Sequence, residues 1–180
     1  MSDAAAIQGH FLACLDRSRS EARPFRHWLL EDALPGKTCV AIDTLPFKPS
    51  AIDDTLGKRE THNSTRIFFS PEQRRRFSVC GDLAEALQSA AVTERIEARC
   101  AVDLAGSCLR IEYCLDTDGF WLEPHTDIGA KLFTMLVYLS AEAGSERWGT
   151  DILDAQKHVV ATAPYRRNCG LIFIPAADTW

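Results

Sequence analysis

Apolar residues at Ile7, Phe11, Leu12 and Leu15 recur with helical spacing, so the pattern predicts a helix over Ala4 to Leu15. A second short helix is predicted from Pro24 to Asp32, with proline in the first turn, where no backbone N–H is needed. Pro35-Gly36 ends it. Thr38 to Leu45 (TCVAIDTL) is β-rich and alternates weakly, which predicts a strand. Pro46 to Thr61 carries Pro, Gly, Asp and Ser and reads as loop. Arg66-Ile67-Phe68-Phe69 reads as a short strand or the end of that loop. Ser70-Pro71-Glu72-Gln73 then combines a cap residue, a proline and an acid, the chemistry of a helix start. Asp82 to about Arg99 predicts one long helix, capped by Asp82, with Leu83, Leu87, Ala90, Ala91 and Ile96 roughly on one face.

After Gly106 the periodicity shortens. Leu109 to Leu115 (LRIEYCL), Leu132 to Leu139, His158 to Thr162 (HVVAT) and Asn168 to Pro175 each read as strand, the last stopped by its proline; a polar loop through Gly144 and Asp151-Ile152-Leu153-Asp154 lie between the second and third. Asp116-Thr117-Asp118-Gly119 reads as a turn between strands. Helices first and short strands second is the order of an α+β chain, with the strands forming a sandwich or barrel. No repeat or linker divides it, and 180 residues fit a single domain, 1–180. Residues 1–105 are its helical support with the first strands, and 106–180 its strand-rich core.

Composition narrows the class without naming it. A formal net charge of -5 argues against a nucleic-acid surface. Arg74-Arg75-Arg76 is too short to change that and reads as a solvated helix face. There is no apolar run of about 18 residues and hence no expected membrane span. Nor does a positive segment followed by an apolar block mark the N-terminus as a signal peptide. Seven cysteines, none in CxxC spacing, speak against a zinc site or a disulfide framework. They are expected to be buried free thiols in a reducing cytoplasm.

Candidate chemistry concentrates in His125-Thr126-Asp127, just before the apolar run from Leu132. On an extended segment, residues two apart point to one side, so an imidazole nitrogen and a carboxylate oxygen can meet one metal. This is two thirds of a 2-His-1-carboxylate facial triad, the ligand set of non-haem Fe(II) oxygenases. A third ligand is expected from a distant strand.

Several elements occur together: Tyr113 on a strand before the motif, His125-Thr126-Asp127 itself, Tyr138 near the end of the next strand, and Gly170-Leu171-Ile172-Phe173-Ile174-Pro175. In this combination the chain resembles the Fe(II)/2-oxoglutarate dioxygenases of the prolyl-hydroxylase-like branch over roughly residues 109–180. The resemblance implies a double-stranded β-helix, or jelly-roll, with N-terminal supporting helices. It implies Fe(II) as the metal, held by His125 and Asp127. It implies 2-oxoglutarate as co-substrate, positioned by Tyr113 and Tyr138, with Thr134 on the Tyr138 strand face lining the same pocket. Dioxygen and a small-molecule or peptide substrate complete the set, and the implied activity is hydroxylation or another oxidation. An acid at position 127, where related halogenases carry a small residue, favours oxidation over halogenation. Lys131 and Arg66 are further cations that could meet an anionic ligand, though a solvated role is the plainer reading of each.

The family's distal His follows its Gly-x-x-Phe strand, with an Arg beyond, and the pattern places that His about one residue past Trp180. The expectation is a fragment whose last strand and third ligand are missing, inactive or nearly so by itself. A natural short relative that has lost catalysis is the other reading. His158, in a segment that reads as a hairpin tip, is a poor substitute, and His10, His27 and His62 read as surface or packing residues. The competing functions are a non-catalytic jelly-roll binding module and a cupin-type metal enzyme. Cupins supply several histidines close together, and only one stands here.

Overall fold

The computed structural model describes residues 3–49, 57, 66–116, 120–127 and 129–180. The opening stripe forms helix α1 (Asp3–Arg17), burying Ile7, Phe11, Cys14 and Leu15. Asp3 in its first turn and Arg17 in its last complement the helix dipole. It packs against α4 (Ser78–Leu87) and α5 (Ala90–Cys100). The single helix expected over 82–99 is therefore two. Asp82 lies inside α4 rather than at its cap, and the chain breaks at Gln88-Ser89, where Ser89 Oγ donates to the Ala86 carbonyl. A serine that bonds backwards in this way competes with helix continuation. Ahead of them α3 (Pro71–Arg76) starts as expected, Ser70 accepting from the Gln73 N–H. Arg75 and Arg76 are exposed on it, while Arg74 turns back to the Phe69 carbonyl.

Two expected elements change type. Residues 24–32 are not a helix: strand β1 (Arg19–Glu21) precedes a turn and β2 (His27–Leu30) follows it. Trp28 and Leu30 are buried towards the helices, while His27 is buried and Leu29 half-buried on the opposite face. A segment covered on both faces reads as a continuous apolar run, and its length, not its period, identifies it as strand. Conversely Thr38–Leu45 is not a strand: helix α2 (Gly36–Asp43) covers most of it, begun by Pro35 and burying Thr38, Cys39 and Ile42. Those positions share one helical face, and packing there overrides the β preference of the residue types. The loop expected at 46–61 lies mostly outside the described residues, as does the tip of the turn at 116–119.

Strands β3 (Arg66–Phe68) and β4 (Glu112–Cys114) form one antiparallel pair. The pair β6 (Asp151–Leu153) and β7 (Val159–Thr162) forms another. The principal sheet has order β1-β2-β8-β5, with β5 (Thr134–Val137) at one edge and β8 (Gly170–Phe173) inside. All its pairings are antiparallel, and the register aligns His27, Phe173 and Thr134 across three strands. Ile172, Trp28, Met135 and Val137 face the helices. Leu171, Cys169, Leu29, Leu136 and Phe173 face Ile152, Ala163 and Tyr165 in the region of the β6–β7 hairpin. The chain is thus α+β with antiparallel sheets, and among the described residues no sheet closes into a barrel. No helix among them is long and apolar enough to cross a membrane.

Glycine at 170 is a packing requirement, since a Cβ there would strike the Leu136 carbonyl of β5. Gly170→Ala is expected to cost about 1–3 kcal/mol through overpacking. The measurement is urea unfolding, with the midpoint lowered and the slope unchanged.

Five cysteines are buried, but Cys108 and Cys114 are exposed, which corrects the expectation of a uniformly buried set. Burial pushes the Cys80 and Cys100 thiols up from 9.0 to about 11. The fold therefore favours the neutral thiol over the thiolate. That contribution to stability is fully present below pH 9.0 and is lost as pH rises through about 11. Thermal unfolding followed from pH 8 to 11 should show the decline, and Cys80→Ala with Cys100→Ala should flatten it.

Candidate functional site

The motif lies in the irregular segment that leads into β5, so hydrogen bonds rather than the pleat of a strand orient its side chains. His125 is exposed, and its Nδ1 lies 2.8 Å from the Glu123 carbonyl. A carbonyl can only accept, so Nδ1 carries the proton in the neutral ring and Nε2 holds the lone pair. Asp127 is different: its side chain is only 8% exposed. Oδ1 accepts from Lys131 Nζ at 2.6 Å, and Oδ2 accepts from Thr134 Oγ1 at 2.6 Å. Thr134 opens β5 and is paired with Phe173 of β8. The carboxylate is thereby tied to the edge of the principal sheet.

Tyr138 follows β5 on the strand face of Thr134 and Leu136, and is 8% exposed. Its hydroxyl donates to Thr150 Oγ1 at 2.8 Å, and its ring stacks on Tyr165 with centroids 4.6 Å apart. Tyr165 in turn accepts from the Ser140 N–H and meets the edge of Trp148. Burial pushes the Tyr138 phenol above its ordinary value, an effect that the Thr150 contact opposes. Tyr113 belongs elsewhere. It packs beside Phe47 and Phe69 against the helical core, whereas Tyr138 sits in the hairpin-side core. The structure thus joins Asp127 to Thr134, places Tyr138 on the same sheet face, and puts the two tyrosines in different apolar clusters.

The remaining histidines serve local roles. His10 Nε2 lies 2.8 Å from the Asp32 carbonyl, and His27 is buried with Nδ1 on the Phe25 carbonyl. His158 lies beside Asp154 at the β6–β7 hairpin, and His62 lies outside the described residues. Among the described residues no group of three His, Cys, Asp or Glu is placed to hold a metal ion. Arg66, read from sequence as a surface or ligand-facing cation, is a half-buried partner of Glu112 at 2.6 Å.

Two residues of the motif carry donor types that a first-row divalent metal takes. Neutral imidazole and carboxylate are suitable ligands, and a ring N–H bound to a carbonyl is the usual support of a ligating histidine. What stands against an incoming cation is the ammonium charge of Lys131. The sequence reading of Lys131 as a solvated or ligand-facing cation missed that contact, because i and i+4 are neighbours on a helix and this segment is not one. Thr150 and Tyr165, the partners of Tyr138, carry no sequence signal that ties them to it.

Tyr138→Phe removes one hydroxyl and leaves Thr150 without that donor, at an expected cost of about 1 kcal/mol. Chemical denaturation of the two proteins side by side measures it.

Comparison with family models, with curated proteins and with solved structures gives no match for this chain.

Proposed function

We propose that this chain is the core of an Fe(II)- and 2-oxoglutarate-dependent oxygenase on a jelly-roll scaffold, acting on a small-molecule or peptide substrate with dioxygen. The observation that carries the reading is the placement of the motif. His125 presents a defined Nε2 lone pair, and Asp127 is anchored through Thr134 to the strand that follows. The scaffold is consistent with it: a four-stranded antiparallel sheet carries helices on one face and a strand hairpin on the other. A jelly-roll needs a second sheet facing the first in that way.

In this reading His125 Nε2 and an Asp127 oxygen hold the iron. Thr134 fixes the rotation of the Asp127 carboxylate through Oδ2, so that Oδ1 is the oxygen offered. When bound, Fe(II) supplies dioxygen activation coupled to decarboxylation of 2-oxoglutarate to succinate and CO2. Thr134 and Tyr138 present hydroxyls from one sheet face, and Tyr138 must exchange its Thr150 contact to reach a co-substrate. No third donor joins His125 and Asp127 among the described residues.

A non-catalytic binding module is the second reading, and the Lys131–Asp127 pair favours it, because the carboxylate is already neutralised. Mn(II) titration separates the two. In the oxygenase reading, paramagnetic broadening of amide signals begins in the 123–134 segment, and both His125→Ala and Asp127→Ala weaken it at least about tenfold, a loss of 1.4 kcal/mol or more. Adding 2-oxoglutarate should tighten the binding. Broadening that is indifferent to both substitutions would sink the oxygenase reading.

A further inference from the structure

We propose that the recess between the β1 edge of the principal sheet and the end of α5 is an oxyanion site, in which Arg26, Arg99 and Trp28 hold the phosphate group of a small phosphate ester. It uses no residue of the proposed iron site and does not rest on the oxygenase reading. The register of the sheet places it. Ser20 of the edge strand is paired with Trp28 of β2, and Trp28 packs towards the helices. Arg26, just ahead of β2, lays its guanidinium over the Trp28 ring, 4.8 Å from the centroid. Arg99 comes from the last turn of α5. With Ser20, Glu21 and Ala22 these three line an open recess of about 260 Å³.

Two guanidinium groups meet there on neutral acceptors. Arg26 Nη2 donates to the Arg99 carbonyl at 3.3 Å, and Arg99 Nη2 donates to the Ser18 carbonyl at 2.6 Å. Arg99 Nε and Nη2 also lie 3.4 and 3.5 Å from Ser18 Oγ. Among the described residues neither arginine has a carboxylate partner. Glu21, the acid on the recess, is paired with Arg19 at 3.0 Å. The carbonyls at the end of α5 attract cations, but a helix end carries only about half a negative charge against two full positive ones. Both guanidiniums also act on the buried Cys100 thiol, opposing the rise that burial imposes on it, which sets them close to one point.

The donors remaining there suit an anion. A guanidinium has five N–H groups, and these contacts leave most of those on Arg26 and both on Arg99 Nη1 for a ligand. Trp28 is only 2% exposed, yet it lines the recess, and its indole N–H has no acceptor among the described residues. Planar N–H forks match the oxygens of a carboxylate or a phosphate. Charge decides between them: one carboxylate balances one guanidinium, whereas a phosphate ester carries nearly two negative charges and balances both. The recess is smaller than the roughly 300–1,000 Å³ of most small-molecule sites, which keeps the ester small.

NMR titration of the full chain at constant ionic strength tests the site, with phenyl phosphate, inorganic phosphate and acetate as probes. Phenyl phosphate should shift the Trp28 indole N–H and the Arg26 and Arg99 Nε–H signals saturably, and acetate should not. Arg26→Gln and Arg99→Gln should each weaken phenyl phosphate binding about tenfold or more. Arg75→Gln, on the exposed side of α3, should leave it unchanged. In the parent chain, which needs no variant to fold, saturating phenyl phosphate should slow phenylglyoxal modification of Arg26 and Arg99 several-fold. Inorganic phosphate bound more tightly than the ester overturns the ester assignment. The site itself is overturned by shifts that do not saturate, by an equal response to acetate, by binding indifferent to both substitutions, or by modification rates that phenyl phosphate leaves unchanged.

Discussion

Strand β8 is the constraint on which the rest of the structure depends. It lies between β2 and β5, so one strand near the C-terminus joins the N-terminal strands to the strand that follows His125-Thr126-Asp127. Its residues serve both cores. Ile172 is fully buried among the helices, and Leu171 is buried on the hairpin side. A strand covered on both faces cannot slip by one residue without exchanging its two sets of side chains. Gly170 enforces the same register from the backbone, because it lets β5 approach where a side chain would collide. Asn168, in the left-handed conformation, holds the entry to β8: its side chain accepts from the Leu34 N–H and donates to the Leu34 carbonyl and to Asp32. The turn into the central strand is thereby bound to the segment that leads into α2.

That register decides where the candidate chemistry stands. Thr134 is aligned with Phe173 because β5 is aligned with β8, and Asp127 is fixed because Thr134 is fixed. The same pairing puts Tyr138 on Thr134's side of the sheet, with Leu136 and Leu171 in one apolar layer. The site therefore has a rigid half and a loose half. Asp127 is anchored to a sheet edge, whereas His125 is exposed and is held by a bond to its own segment.

The sequence was legible where one signal dominated. The stripe of α1, the Ser70-Pro71 helix start and most of the short strands of the second half follow from period and punctuation. It misled where two signals competed. His27–Leu30 and Thr38–Ile42 exchange the types that their residues suggest, because burial on both faces defines the first and a single buried helical face defines the second. The break at Ser89 was hidden inside an apparently continuous stripe. In the site, the His-x-Asp spacing and the shared strand face of Thr134 and Tyr138 were readable. The separation of Tyr113 from Tyr138 was not, because it depends on which core each strand covers. Nor was the burial of Asp127, which depends on the fold of the segment around it.

The Lys131–Asp127 pair is largely withdrawn from water, so it gains attraction at the expense of hydration and is a weak source of net stability. Its neighbourhood is also poorly suited to bracing, with an exposed turn on one side and exposed Leu132 on the other. The hydroxyl of Thr134, the residue that opens β5, gives the carboxylate its tie to the sheet, so the position of Asp127 follows from the pairing of β5 with β8.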